Sequence, residues 1–260
     1  MMRVGVVAFT NAVPLAHGLE EVLPEAELVR LTPSRIADAL GEGLLDIGLV
    51  PVASLAAHPE WNVLPGLGIA SEGDVRSVLL VSKVAPEKIT RLVLDPASRT
   101  SNQLARLWLW HQNGAAPETV SGPARLADRL DMGEATVAIG DEALFWNGDA
   151  ASIDLGGAWT EWTGLPFVFA VWAGPHPTAA LAPAFLRCYE TNAARLGSLA
   201  RSRAGGDAAR AELLENYWSR SIRYRLGERE NQGLMRYLSL GADAGYFEPV
   251  GKGRLHVQRA

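Results

Sequence analysis

Two short apolar runs, residues 76–82 and 165–172, divide this sequence into three parts. Each is the length of one buried strand, with an apolar centre, and too short for an amphipathic helix. Before the first, strand-like runs at 3–9, 27–31, 46–50 and 63–69 alternate with helix-like segments at 11–21, from Ser34 onward and at 53–58. Pro14 suits the start of the first helix, where its missing N–H costs nothing. Ser34 is placed to cap the second, with Ile36 and Leu40 on one face. Between the two runs the alternation restarts, with strands at 91–94 and 135–139, a short one at 152–155, and a helix at 101–112 carrying Leu104, Leu107, Trp108 and His111 at helical spacing. After residue 172 everything reads as helix, at 180–199, 208–217 and 228–240, with 201–210 as a connection. Alternating strands and helices predict an α/β chain with mostly parallel strands. A chain that starts one lobe, builds a second and returns to the first has two crossings and a cleft between them. The expected division is 1–82 with 173–260 in lobe one and 83–172 in lobe two.

The 260 residues fit one large domain or two lobes of ordinary size. With 48% hydrophobic and 20% charged residues, a packed core is expected rather than disorder. The net charge of -5 offers no broad attraction for nucleic acid or an anionic membrane, so neither is an expected partner. An anionic ligand would have to be held by local groups. The single cysteine, Cys188, excludes an intramolecular disulfide and reads as a small buried hydrophobe. The apolar run 4–9 is too short for a signal-peptide core, and no stretch of 18 apolar residues follows, so a cytoplasmic protein is expected. His17, His58, His111, His176 and His256 are scattered without metal-ligand spacing. Gly-x-Ser-x-Gly, His-Glu-x-x-His, the P-loop and a Gly-x-Gly-x-x-Gly after the first strand are all missing.

What the sequence does have is polar residues at predicted strand ends, where open α/β sheets bind ligands. Phe9-Thr10-Asn11 follows the first strand and reads either as a helix cap or as an anion site. Ile47–Pro51 leads into Val52 and Ala53, either as a plain buried strand or with its end facing the cleft. Arg76 and Ser77 head the first crossing run. As neighbours on a regular strand they face opposite ways, so both line a cleft only if the strand is bulged or twisted. Leu94-Asp95-Pro96-Ala97-Ser98-Arg99-Thr100-Ser101-Asn102 is the most telling segment. It packs hydroxyl, guanidinium and amide groups between a strand end and a helix start, which suits a carboxylate or phosphate. Ile139-Gly140-Asp141 delivers an acid to another strand end. Gly140 would permit close backbone approach, and Asp141 is either a cap or a ligand contact. Phe167 and Phe169 share one face of the second crossing run, mostly as core.

Taken in order, Phe9–Leu15 with its Asn11 and Pro14, Leu45–Ala53, Val75–Ser82, Asp95–Ser101, Ile139–Leu144 and Asp154–Trp172 resemble the motifs of the chorismate dehydratases. The Asp-x-x-Ser-Arg-Thr-Ser run is the most specific of them. The resemblance covers about residues 3 to 175, with the tail similar in character only. It implies a two-lobed type II periplasmic-binding-protein-like fold with a ligand cleft between lobes and a helical C-terminal tail. It also implies loss of water from chorismate to give 3-[(1-carboxyvinyl)oxy]benzoate in the futalosine route to menaquinone, a hydro-lyase reaction needing no metal or organic cofactor. By the same resemblance Asn11 and Ser77 are the catalytic candidates. Thr10, Arg76, Ser98, Arg99, Thr100, Ser101, Asn102, Gly140 and Asp141 are the candidate substrate-binding residues. None of the catalytic candidates is a strong base, so the substrate's own side-chain carboxylate is the expected proton acceptor. A solute receptor for a small anion and the sister 1,4-dihydroxy-6-naphthoate synthase are the competing readings, and a homodimer stays open.

Overall fold

A computed structural model describes residues 1–176 and 179–247; Pro177, Thr178 and 248–260, with His256, lie outside the described residues. Among the described residues eleven strands form two sheets. In chain order they are β1 (Met2–Val7), β2 (Ala26–Leu31), β3 (Ile47–Pro51), β4 (Asn62–Ser71), β5 (Val78–Ser82), β6 (Arg91–Leu94), β7 (Glu118–Ser121), β8 (Ala135–Ile139), β9 (Ala151–Asp154), β10 (Phe167–Gly174) and β11 (Arg223–Arg225). The first sheet has the order β11-β4-β10-β3-β1-β2 and the second β7-β6-β8-β5-β9.

The sheets are mixed rather than mostly parallel. β2, β1 and β3 run parallel, as do β7, β6 and β8. β10 is antiparallel to both β3 and β4, and β5 to both β8 and β9. β5 and β10 are the two crossing runs. Each enters its sheet from the other lobe instead of returning over a helix, so nothing obliges it to run parallel. Sheet membership also moves both crossings. β5, expected in the first lobe, pairs in the second sheet, and β10, expected in the second lobe, lies at the centre of the first.

The helix Pro33–Gly41 lies close on the first sheet because two glycines meet there. Gly5 and Gly48 are paired across β1 and β3, and a Cβ on Gly48 would meet Ile36 Cγ2 at 2.5 Å. Ser34 does not cap this helix: Thr32 is the N-cap residue, Pro33 opens the first turn, and the Ser34 hydroxyl donates to the Pro96 carbonyl at 2.9 Å. The segment at 11–21 is broken at Gly18 (φ 72) into Val13–Ala16 and Leu19–Val22. The tail is helical over Ala182–Ala193, Leu196–Ala204, Ala208–Asn216 and Glu228–Asp243, but it also contains a π turn, Tyr217–Ser221, and the edge strand β11. Trp159, Phe167, Phe169 and Tyr237 pack edge to face where β10 meets the tail. Cys188 is buried, and burial pushes its thiol up to about 11.

Candidate active site

The strand directions bring particular ends together. The carboxyl ends of β1, β3 and β4 and the start of β10 lie at one edge of the first sheet. The carboxyl ends of β6 and β8 and the start of β5 lie at one edge of the second. A cavity sits between these two edges, as expected for ligand sites at strand ends. From the first lobe it is lined by Val7, Phe9, Asn11, Pro33, Pro51, Ile69, Phe169 and Ala170. From the second it is lined by Val75, Ser77, Val78, Ser98, Thr100, Ser101, Ile139 and Gly140. No carboxylate, imidazole, amine, guanidinium or thiol is among these lining groups. The cavity holds about 50 Å³. Small-molecule sites are roughly 300–1,000 Å³, so a ligand of that class enters only if the lobes part. A wider groove of about 900 Å³ on the second lobe is rimmed by Asp74, Glu87 and Glu161, which repel an anion.

The loop after β6 is built around a buried charge. Arg129 is fully buried; its guanidinium pairs with Asp95 at 3.0 Å and Glu142 at 3.3 Å and donates to Thr136 Oγ1 and the carbonyls of Pro123, Ala124 and Val137. Burial raises the Asp95 carboxyl and Arg129 opposes that rise. The Asp95 carbonyl accepts from Ser98 N–H, and Asp95 Oδ1 accepts from Ala97 N–H, which curls the chain into a turn. Ser98 Oγ then accepts the Ser101 N–H at 3.1 Å, within the first turn of the helix Thr100–Asn113. That helix points its N-terminus at the cavity, with the partial positive charge that goes with it.

Asn11 and Ser77 reach the cavity from opposite sides. Asn11 Oδ1 is buried and has no hydrogen-bond partner, an arrangement that folded proteins keep at few places. Ser77 is buried, and its Oγ accepts a 2.6 Å hydrogen bond from the Tyr217 hydroxyl. The inward turn of Ser77 is set by Arg76, whose φ of 67 is left-handed and unfavourable for a residue with a Cβ. Asp154 holds that kink, accepting the Val75 and Arg76 N–H groups at 3.0 and 2.6 Å along with those of Gly156 and Gly157. Burial pushes the Asp154 carboxyl up, against those hydrogen bonds.

Of the eleven residues singled out in the sequence, six line the cavity: Asn11, Ser77, Ser98, Thr100, Ser101 and Gly140. The other five do something else. Thr10 and Asp141 bond to each other across the lobes. Arg99 pairs with Asp38 and donates to Ser54 Oγ at 3.4 Å, on the far side of its loop. Asn102 pins that loop, donating to the Asp95 and Ser98 carbonyls at 2.8 and 2.6 Å and accepting from Asp95 N–H. Arg76 is exposed, facing away from Ser77. Thr100 also spends its Oγ1 on the Ala53 N–H at 3.2 Å. Gly140 (φ 62) meets Phe9 rather than open space, since a Cβ there would lie 2.7 Å from the Phe9 ring. The sequence reading missed the tail. Trp218 Nε1 donates to the Thr10 carbonyl at 3.0 Å and the Tyr224 hydroxyl to the Asn11 carbonyl at 2.9 Å. Their only signal was aromatic residues in the stretch between the helices expected at 208–217 and 228–240.

Two mixed lobes, two crossings and a cavity at the facing strand ends define the periplasmic-binding-protein class of fold. Solved structures agree on the fold. A protein from Archaeoglobus fulgidus, AF1704, is similar with a TM-score of 0.71 at 16% identity, over 94% of this chain and 97% of that one. The periplasmic aliphatic sulphonate binding protein SsuA from Escherichia coli is similar with a TM-score of 0.63 at 17% identity, over 99% and 90%. Residues 2–243 match the menaquinone biosynthesis family, and the chain belongs to it. A relative is the chorismate dehydratase of Thermus thermophilus, 29% identical over 258 residues, which cover 90% of this chain and 92% of that protein. Among the described residues no helix is long and apolar enough to cross a membrane.

Proposed function

We propose that the chain dehydrates chorismate to 3-[(1-carboxyvinyl)oxy]benzoate within menaquinone biosynthesis, as a hydro-lyase of the cytoplasm. The observation that carries this reading is a cavity between lobes furnished with neutral donors and a helix N-terminus but with no ionisable side chain in its lining. Such a wall suits a dianion that brings its own base. In the reaction the ring C–O bond breaks and the hydroxyl leaves. An adjacent ring C–H loses its proton to the substrate's side-chain carboxylate, and the C–H electron pair completes the aromatic ring. Hydroxyl and proton depart as water, and aromatisation supplies the driving force. The protein's part is to orient the substrate and stabilise developing charge. Ser77 donates to the leaving hydroxyl, and the side-chain amide of Asn11 orients the reacting edge of the ring. Ser98, Ser101 and the N-terminus of Thr100–Asn113 hold a carboxylate.

The test is incubation of the purified protein with chorismate, followed by absorbance and mass spectrometry. Appearance of the enolpyruvyl benzoate with loss of one water is the expected result. Tight binding of unchanged chorismate would instead favour a solute receptor, which the likeness to sulphonate-binding structures makes the second reading. Turnover of cyclic de-hypoxanthine futalosine alone would favour the sister synthase.

A further inference from the structure

We propose that Tyr217 is a positioning residue for this reaction, fixing the Ser77 hydroxyl so that its proton points into the cavity. The inference rests on the proposed dehydration and adds a residue to it from a part of the chain with no recognisable motif. Tyr217 is 1% exposed, and Ser77 Oγ, at 2.6 Å, is the partner of its hydroxyl among the described residues. A phenol carries one proton. Were Ser77 to donate to Tyr217 instead, that phenolic proton would be buried with no acceptor, which native structures avoid. Burial also pushes the phenol up, so it stays protonated and remains a donor. Ser77 therefore accepts, and its own proton is free to turn toward the cavity that Ser77 lines. The Ser77 main chain is fixed as well, because its carbonyl accepts the Gly140 N–H at 2.9 Å.

Two nearby donors show that this is more than one contact. Trp218 holds the Thr10 carbonyl and Tyr224 the Asn11 carbonyl. One tail segment, opening with the π turn Tyr217–Ser221, thus reaches both catalytic candidates from behind.

The experiment compares wild type, Tyr217→Phe, Ser77→Ala and the double variant with chorismate. Tyr217→Phe keeps the ring and removes the donor. Its kcat is expected to fall about 10- to 100-fold with KM within about threefold of wild type, the split that marks a contact serving the transition state. Adding Tyr217→Phe to Ser77→Ala is expected to cost nothing further, because Tyr217 acts through Ser77. An unchanged kcat, or an additional loss in the double variant, would overturn the role. If Tyr217→Phe does not fold, 3-fluorotyrosine at position 217 keeps the donor and is expected to retain turnover; loss of turnover there would assign Tyr217 to packing alone. Wild-type protein that leaves chorismate intact would overturn the proposed reaction and this role together, whereas an active wild type with an unaffected Tyr217→Phe sinks only the role.

Discussion

Asp141 grips Thr10 with both carboxylate oxygens, Oδ1 taking the Thr10 N–H at 3.0 Å and Oδ2 its hydroxyl at 3.1 Å. Thr10 follows β1 of the first sheet and Asp141 follows β8 of the second, so the contact clasps the lobes. On the other side of the cavity the Ser34 N–H donates to the Ala97 carbonyl at 3.3 Å, again between lobes. A carboxylate hydrogen bond contributes about 1.5–3 kcal/mol, less where solvent reaches it, as here. Asp141→Ala is therefore expected to speed amide hydrogen exchange about tenfold at both Thr10 and Ser34. Faster exchange at Thr10 with none at Ser34 would make the pair a local contact and not a clasp.

Asn11 presents the opposite case, a buried acceptor that nothing satisfies. Leaving such a group unpaired costs about 1–3 kcal/mol, and replacing it by an apolar group of similar shape removes the cost. Asn11→Leu is expected to hold or raise the Tm while turnover of chorismate falls about 100-fold, the size of effect seen on losing one group that stabilises a transition state. Thermal unfolding and steady-state kinetics on one preparation check both halves. Loss of Tm with turnover intact would make Asn11 structural.

Arg129 carries the architecture of the loop after β6. Removing one member of a buried ion pair leaves the other charged and unpaired, at a cost of about 3–5 kcal/mol. Arg129→Met is expected to destabilise by that amount in urea unfolding, because it strands Asp95. Adding Asp95→Asn should recover part of the loss. A loss below about 1 kcal/mol for Arg129→Met would show that Asp95 is solvated without it.

The acid limb of stability has an assignable contributor. Glu134 accepts the Thr90 and Arg91 N–H groups at 2.7 and 3.0 Å, and these hydrogen bonds hold its carboxyl below the ordinary 4.5. A carboxyl lowered by folding stabilises above its unfolded value and loses that contribution as pH falls through the folded one. Asp95 and Asp154, raised by burial, act in the opposite sense, so the whole-protein profile mixes signs. The difference in Tm between wild type and Glu134→Gln isolates one carboxyl. It is expected to favour wild type near neutrality and to shrink as pH drops below 4.5. A difference that does not depend on pH would refute the assignment.

Local chemistry in the sequence was legible where it was local in space. The 95–102 run declared a helix start after a strand end, and its Ser98, Thr100 and Ser101 do line the cavity. The opposed faces of Arg76 and Ser77 were also readable, although the left-handed kink between strand and loop was not. Partnerships were invisible. Thr10 and Asp141 each looked like a ligand contact because a side chain's long-range partner leaves no mark on its neighbours in sequence. Nothing in the sequence marks Arg129, and only its burial beside Asp95 in the second lobe makes it a structural charge. Tyr217 lies 140 residues from Ser77, and no periodicity relates them. β7 and β11 are four- and three-residue edge strands with exposed ends, too short to show an alternation. The crossings shifted because an apolar run says that a strand is buried and not which sheet buries it.

Gly140 turns this geometry into a rule about what the seam tolerates. Its missing side chain is the space into which the aromatic face of Phe9 settles from the opposite half. Even one methyl group there would act as a wedge, propping the halves ajar and drawing the Ser77 strand, bonded to Gly140 through the main chain, away from Asn11. How closely the jaws meet thus depends on a missing side chain as well as on the Thr10–Asp141 and Ser34–Ala97 contacts.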